Sequence, residues 1–132
     1  MTAEFSLPLR VYIEDTDAGG IVYYVNYLKF MERARTEFMR SLGFGKNFIF
    51  NEELMFVVRK VAVDYHLPAR LDDALTATAT IAKLGGASMI MHQQVLRGDE
   101  VLAAGDVTIA CVDQNTLKPK RIPAVMMDTL RG

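Results

Sequence analysis

Residues 15–43 read DTDAGGIVYYVNYLKFMERARTEFMRSLG. From Tyr24 onward the apolar side chains recur at helical spacing: Tyr24, Tyr27, Leu28, Met31, Ala34, Phe38 and Leu42, with Phe30 and Met39 widening the stripe. The spacing predicts one long helix that starts near Tyr23, buries more than a single face, and is capped by Gly43. Directly before it, Asp15, Thr16, Asp17, Ala18, Gly19 and Gly20 put two carboxylates and a glycine pair into a turn. Glycine lets backbone approach a ligand, and a helix start offers unpaired N–H groups and the positive end of a dipole. An acid or base beside such donors suits acyl-transfer chemistry. The same residues also read as an ordinary N-cap and an ordinary turn, and on the pattern alone that reading is favoured. A calcium loop fits poorly, because the ligand run stops after two carboxylates with no closing Glu.

Outward from the helix the period changes to two. Leu9, Val11 and Ile13 alternate with Arg10, Tyr12 and Glu14, which predicts a half-buried strand before the turn. After a variable stretch, Phe44 to Leu54, four strand patterns follow: Phe56 to Leu67, Leu75 to Ile81, Ser88 to Leu96 and Val101 to Val112. Gly85-Gly86, Arg97-Gly98-Asp99-Glu100 and Asp113-Gln114-Asn115 punctuate them, the second as a hairpin. A short helix from Ala124 to Leu130 closes the chain. The order β-α-β-β-β-β predicts an α+β fold, in which the helix lies across an antiparallel sheet that curls around it. Small residues (Ala77, Ala79, Ala103, Ala104, Gly105, Ala110) are expected to let helix and sheet approach closely.

Composition narrows the function classes. With 132 residues, 51% of them apolar and a net charge of −1, the chain reads as one domain, residues 1–132, that buries roughly two-thirds of its unfolded surface. Disorder and a nucleic-acid footprint are both disfavoured. No apolar run approaches the roughly 20 residues a membrane span needs, and Met1–Phe5 has no signal-peptide character. The single cysteine, Cys111, excludes an intramolecular disulfide and reads as a buried, inert thiol in a reducing compartment. His66 and His92 show no zinc spacing, so no metal is expected.

The run Tyr12-x-x-Asp15-x-Asp17-x-x-Gly20-x-Val22, then Asn26-Tyr27 and Glu32-x-Ala34-Arg35, resembles the hot-dog-fold acyl-CoA thioesterases of the 4-hydroxybenzoyl-CoA thioesterase superfamily. The nearest likeness is to the bacterial Tol–Pal-associated acyl-CoA thioesterase group. Phe56-Val57-Val58-Arg59-Lys60-Val61 and Tyr65-x-x-Pro68-Ala69-Arg70-Leu71-Asp72-Asp73 extend it, so it runs from about Leu9 to Pro123. It reverses the balance on the Asp-rich turn. The resemblance implies a hot-dog fold, one central helix wrapped by five antiparallel strands, and hydrolysis of acyl-CoA or acyl-carrier thioesters.

Carried over by position, the resemblance implies that Asp17 is the catalytic carboxylate, as general base or nucleophile. It implies that the helix start near Tyr24 polarises the carbonyl through a backbone N–H. Thr16 is then a cap, and Asp15 a turn or salt-bridge residue facing away. Many of the Tol–Pal group carry a histidine where this chain has Tyr24; a phenol, with a pKa of about 10, is no base at neutral pH. Base catalysis therefore rests on Asp17. The implied substrate contacts are Gly19, Gly20, Tyr27, Val58, Arg59, Lys60, Lys83, Gly86 and Ser88, with the pantetheine arm along Lys83–Ser88 and coenzyme A counted as substrate, so no cofactor is expected. Tyr24, Tyr27, Leu28 and Met31 are the expected end of the acyl pocket, favouring short or aromatic acyl groups. His66 has a minor claim on the site.

A single sheet on one helix leaves open strand edges, which favours a homodimer, and the family likeness implies a tetramer. Phe56–Lys60 is then expected to complete the pocket across the interface. The expected place is the bacterial cytoplasm, with work in lipid metabolism near the inner membrane. An acyl-thioester-binding module without turnover, docking an acyl carrier protein, is the alternative. A hot-dog dehydratase is a third reading, and the Asp17 region lacks the His it needs.

Overall fold

The computed structural model describes residues 3–46 and 50–132, so part of the variable stretch after the helix, residues 47–49, lies outside it. The elements are β1 (Phe5–Arg10), a 3-10 turn (Ile13–Asp15), α1 (Asn26–Ser41), β2 (Leu54–Tyr65), β3 (Ala74–Leu84), β4 (Ser88–Arg97), β5 (Glu100–Asp113) and α2 (Ala124–Arg131). The five strands form one antiparallel sheet in the order β1-β3-β4-β5-β2. This is the hot-dog arrangement expected from the sequence.

β2 and β3 shift by one to three residues at their ends, and the two boundaries that flank the Asp-rich turn differ from expectation for a local reason each. The first strand starts at Phe5 and stops at Arg10, and Ile13 lies 78% exposed in the 3-10 turn. There the Asp15 carboxylate accepts the Tyr12 backbone N–H at 2.8 Å and bends the chain out of the sheet. The helix begins at Asn26, because Tyr23 to Val25 form the turn that feeds it, with the Asn26 N–H donating to Tyr23 O at 2.8 Å. Its C-terminus is as read: Gly43 sits at φ +93°, its N–H donates to Arg40 O, and the Phe44 N–H donates to Met39 O. That pair of bonds is the Schellman closure, which satisfies two of the last carbonyls.

The core has two parts. Val11, Tyr27, Phe30, Met31, Ala34, Leu75, Ala77, Val95 and Leu102 pack under the first half of α1. Phe38, Met39, Ile81, Met89, Met91, Ile109, Cys111, Met126 and Leu130 pack under its second half and under α2. Fully burying one side chain such as Phe30 contributes about 1.5–3 kcal/mol. Alanines 77 and 79 are wholly buried on β3, the strand most closely packed against α1, as the small-residue pattern requires. Gly105 serves a different purpose from the one expected. A Cβ there would lie 2.3 Å from Ala62 O and 2.8 Å from Val63 Cγ2, so its missing side chain lets β5 meet β2.

The helix lies across the sheet with its weight toward one side. It packs against β1, β3 and β4, and so leaves a strip of sheet toward β2 less covered. The sheet has two edges. β1 carries Pro8 opposite Thr76, while β2 runs for 12 residues with Val58 and Val61 exposed. A bulge between Val58 and Lys60 places Arg59 out of register, so the simple alternation expected for Arg59 and Lys60 does not hold. Among the described residues no helix is long and apolar enough to cross a membrane.

Candidate active site

The Asp-rich loop is built from its own backbone. Asp17 N–H donates to Ile21 O at 2.9 Å, Gly20 N–H donates to Asp17 O at 3.1 Å, and Thr16 bridges Val22, closing a tight reversal. Gly20 holds φ +77°, a conformation cheap only for glycine. Asp17 Oδ1 accepts the Gly19 N–H at 2.8 Å, and its side chain is exposed. Among the described residues no protein group donates to its second oxygen, Oδ2, which leaves it open to water or substrate.

Asp15 ties this loop to the helix. It is buried at 8% exposure, and its carbonyl accepts both the Tyr23 N–H (3.1 Å) and the Asn26 side-chain amide (2.7 Å). The salt-bridge reading of Asp15 is thereby corrected: its carboxylate serves a backbone N–H, and it faces inward because the 3-10 turn needs that acceptor. The Thr16 hydroxyl donates to Ile13 O at 2.8 Å, closing the 3-10 turn and not capping α1. Beyond Tyr23, the N–H groups of Tyr24 and Val25 have no acceptor among the described residues. The exposed carboxylate thus sits in the turn that feeds the helix, and the helix start carries two unengaged N–H groups.

Five aromatic rings border this end. Tyr24, 57% exposed, packs against Tyr23 at 5.0 Å and edge-on against Tyr65 at 5.8 Å. Tyr65 lies 5.5 Å from Tyr27, which in turn meets Phe30. Burial first, then the neighbouring Tyr24 and Tyr27, push the Tyr65 phenol above its ordinary value. Tyr27 is buried, and its hydroxyl accepts the Ala69 N–H at 2.9 Å, so its polar atom is committed to the loop that backs the Asp-rich turn.

A groove continues from this end along the strip that α1 leaves uncovered. It consists of adjoining cavities of about 230 and 340 Å³ that share Glu32, Arg35 and Val58. Val25 and Leu28 line its near part, and Met39, Phe56, Met91 and Ile109 its far part. Of the four expected pocket-end residues, Leu28 lines it; Met31 and Tyr27 are in the core, and Tyr24 stands outside it. Arg35 stands in the Glu32-x-Ala34-Arg35 run, which assigns it no place in the site, and Gln93 is absent from the residues expected there. Its signal was a polar residue at the core-facing phase of Met89-x-Met91-x-Gln93-x-Val95.

The remaining candidates fall into another place. Arg10 pairs with Ala74, and Ile21 bridges Arg70, so Asp17, Gly19, Gly20 and Tyr24 lie at the Ala74 end of β3. Lys83, Gly86 and Ser88 lie at its other end, about 30 Å away at ~3.3 Å per strand residue. Arg59 and Lys60 are exposed on the β2 edge, and Val58 is 49% exposed there. Next to Gly85-Gly86 a cleft of about 580 Å³ opens against α2, flanked by Arg121 and Arg131. His66 is exposed, and His92 Nδ1 lies 2.9 Å from Asp106 on a partly exposed face. Burial raises the Cys111 thiol pKa, with Lys120 countering it, which suits a packing role.

An Asp-bearing turn that feeds a hot-dog helix defines a class, and residues 11–130 match the model of the thioesterase-like superfamily: the chain belongs to that family. The chain is 44% identical over 120 residues to the "Acyl-CoA thioesterase YbgC" of Haemophilus influenzae, covering 90% of this chain and 88% of the relative. It is 42% identical over 123 residues to the "Acyl-CoA thioester hydrolase YbgC" of Escherichia coli, covering 92% of each. Among solved structures, the "Probable Thioesterase" of Bartonella henselae superposes with a TM-score of 0.82 at 39% identity, covering 92% of this chain and all of that one.

Proposed function

We propose that this protein hydrolyses acyl-CoA thioesters to the free acid and coenzyme A. The carrying observation is the exposed Asp17 carboxylate, held by its own loop in the turn that feeds a helix start whose Tyr24 and Val25 N–H groups are unengaged. The similarity to relatives named acyl-CoA thioesterases supports the substrate class.

The thioester carbonyl oxygen accepts the Tyr24 N–H, which draws electron density from the carbonyl carbon. Asp17 takes a proton from water as the water oxygen attacks that carbon. The tetrahedral oxyanion collapses, the C–S bond breaks, and the proton on Asp17 goes to the departing sulfur. Direct attack by Asp17, giving an anhydride that water then opens, uses the same groups. One donor to the oxyanion is typically worth ~10²–10³ in rate, and a placed base ~10²–10⁴.

The two groups of candidate residues at opposite ends of one sheet support an assembly. A second copy joined antiparallel through the open β2 edge brings its Lys83–Ser88 end toward the first copy's Asp17 and places Val58–Lys60 between them. The protein works as a homodimer or larger, and acyl carrier protein thioesters are further candidate substrates.

The test is thiol release from a panel of acyl-CoAs by native protein and by Asp17→Asn, which keeps size and turn-forming ability. A loss of at least ~10²-fold in kcat/KM is expected. A variant with native turnover refutes the catalytic reading, and tight binding without turnover by native protein refutes the hydrolase reading.

A further inference from the structure

Arg35 carries a charge that no described carboxylate meets at ion-pair distance. Its Nη1 donates to Oε1 of Gln93 at 2.9 Å, and no carboxylate forms an ion pair with it among the described residues. Glu32, one turn earlier and lining the same groove, favours the charged form, while burial works more strongly against it and lowers the pKa. Gln93 is fully buried, and its amide donates to Met31 O (2.8 Å) and Thr78 O (3.1 Å). It therefore holds the guanidinium at a fixed place and cannot turn away. Most of the five guanidinium N–H donors remain free, at the side of a groove walled by Met39, Phe56, Met91 and Ile109. A poorly hydrated charge without a hydrogen-bonded counter-charge is costly, and a ligand that supplies one recovers that cost.

The position along the groove matters as much as the charge. Arg35 is ten residues beyond Val25, about 15 Å along the helix axis at 1.5 Å per residue. Helical side chains lean back toward the N-terminus, which shortens the gap. An acyl chain whose carbonyl meets the Tyr24 N–H and which passes Leu28 brings its far end to the guanidinium. The far cavity of about 340 Å³ falls at the small end of ligand pockets, roughly 300–1,000 Å³.

The geometry points to Arg35 as a specificity-determining residue for medium-length acyl groups that end in a carboxylate, the mono-thioesters of dicarboxylic acids. This rests on the hydrolase reading above. The guanidinium fork matches a carboxylate bidentately, and a neutral chain reaching as deep strips water from an unpaired charge. Both effects favour the carboxylate-ended substrate. The competing occupant is a carboxylate from a second copy of the chain, which ties Arg35 to assembly and not to selectivity.

The test compares kcat/KM for octanoyl-CoA against suberoyl-CoA, and decanoyl-CoA against sebacoyl-CoA, alongside light scattering. Native protein is expected to favour the carboxylate-ended member of at least one pair by roughly ten- to a hundredfold, the worth of a hydrogen-bonded charge pair. Arg35→Met brings that ratio to one or below, chiefly through KM for the carboxylate substrate, and Arg35→Lys keeps part of it. A native ratio at or below one with normal turnover overturns this inference alone, and does so without any variant. A ratio that survives Arg35→Met also overturns it, as does a flat native ratio with an Arg35→Met protein that dissociates. No turnover of any of the four thioesters overturns the hydrolase reading and this inference together.

Discussion

Adding a single methyl group at Gly105 is expected to loosen β2, the strand that carries Val58–Lys60 and Tyr65. Gly105 pairs with Val63, and a Cβ there would stand 2.3 Å from Ala62 O and 2.9 Å from Val63 Cα. Both are backbone atoms, so no side-chain rotation relieves the clash. Non-bonded heavy atoms settle near 3.5 Å, and β2 must therefore retreat by roughly 1 Å. That stretches ladder bonds of ~2.9 Å beyond the useful range. One or two lost bonds at ~1 kcal/mol each, with overpacking of ~1–3 kcal/mol, outweigh the ~0.4–1 kcal/mol that alanine gains through a less free unfolded chain. The net is about 2–4 kcal/mol, a fall in Tm on the order of 10 °C for a chain of this size. Thermal and urea unfolding followed by circular dichroism measure it, with Gly20→Ala as comparison. Gly20 has open space around its Cβ position and a φ of +77°, so its loss is backbone strain alone, about 1–2 kcal/mol. A Gly105→Ala protein melting within about 2 °C of native would refute the claim that β5 and β2 meet too closely for a side chain.

Tyr27→Phe leaves the buried Ala69 N–H without its acceptor and is expected to cost about 1–3 kcal/mol in urea unfolding, with faster amide exchange at Ala69. Asp113 accepts the N–H groups of Thr116 and Asn115, which hold its carboxyl below the ordinary carboxylate value. Its folded pKa is depressed, so the stability it contributes is complete above about pH 4 and lost as pH falls through the folded value. The Tm gap between native and Asp113→Ala is therefore expected to be constant at neutral pH and to close in acid; a gap unchanged down to pH 2 would count against it.

The helix and four of the strands were legible because apolar period is a direct record of which side chains face the core. The first strand was legible only in part. Pro8 interrupts its pattern, and its end depends on a hydrogen bond between Tyr12 and Asp15 that no period reports. The Asp17 turn was legible since its whole geometry is local, closed within a few residues of itself. What escaped was everything set by distance along the chain. The Tyr27–Ala69 bond spans 42 residues and the Arg35–Gln93 bond spans 58. The groove exists because α1 sits toward β1, an offset decided by packing across the whole sheet. Lys83, Gly86 and Ser88 are expected on the pantetheine arm of the same substrate that Asp17 attacks, and within one chain the sheet sets them at the end away from Asp17, a separation that no local pattern reports.

Pro8 gives the sheet a valence. Its ring nitrogen has no hydrogen to offer, and proline is tolerated within a sheet only where that nitrogen faces outward. β1 is therefore blunt, while β2 offers a long ladder free of proline. Any copy that joins through β2 uses up its one adhesive side and turns a blunt one to the solution. Growth by strand addition stops after a single step, where a chain with two adhesive sides would go on to a fibre.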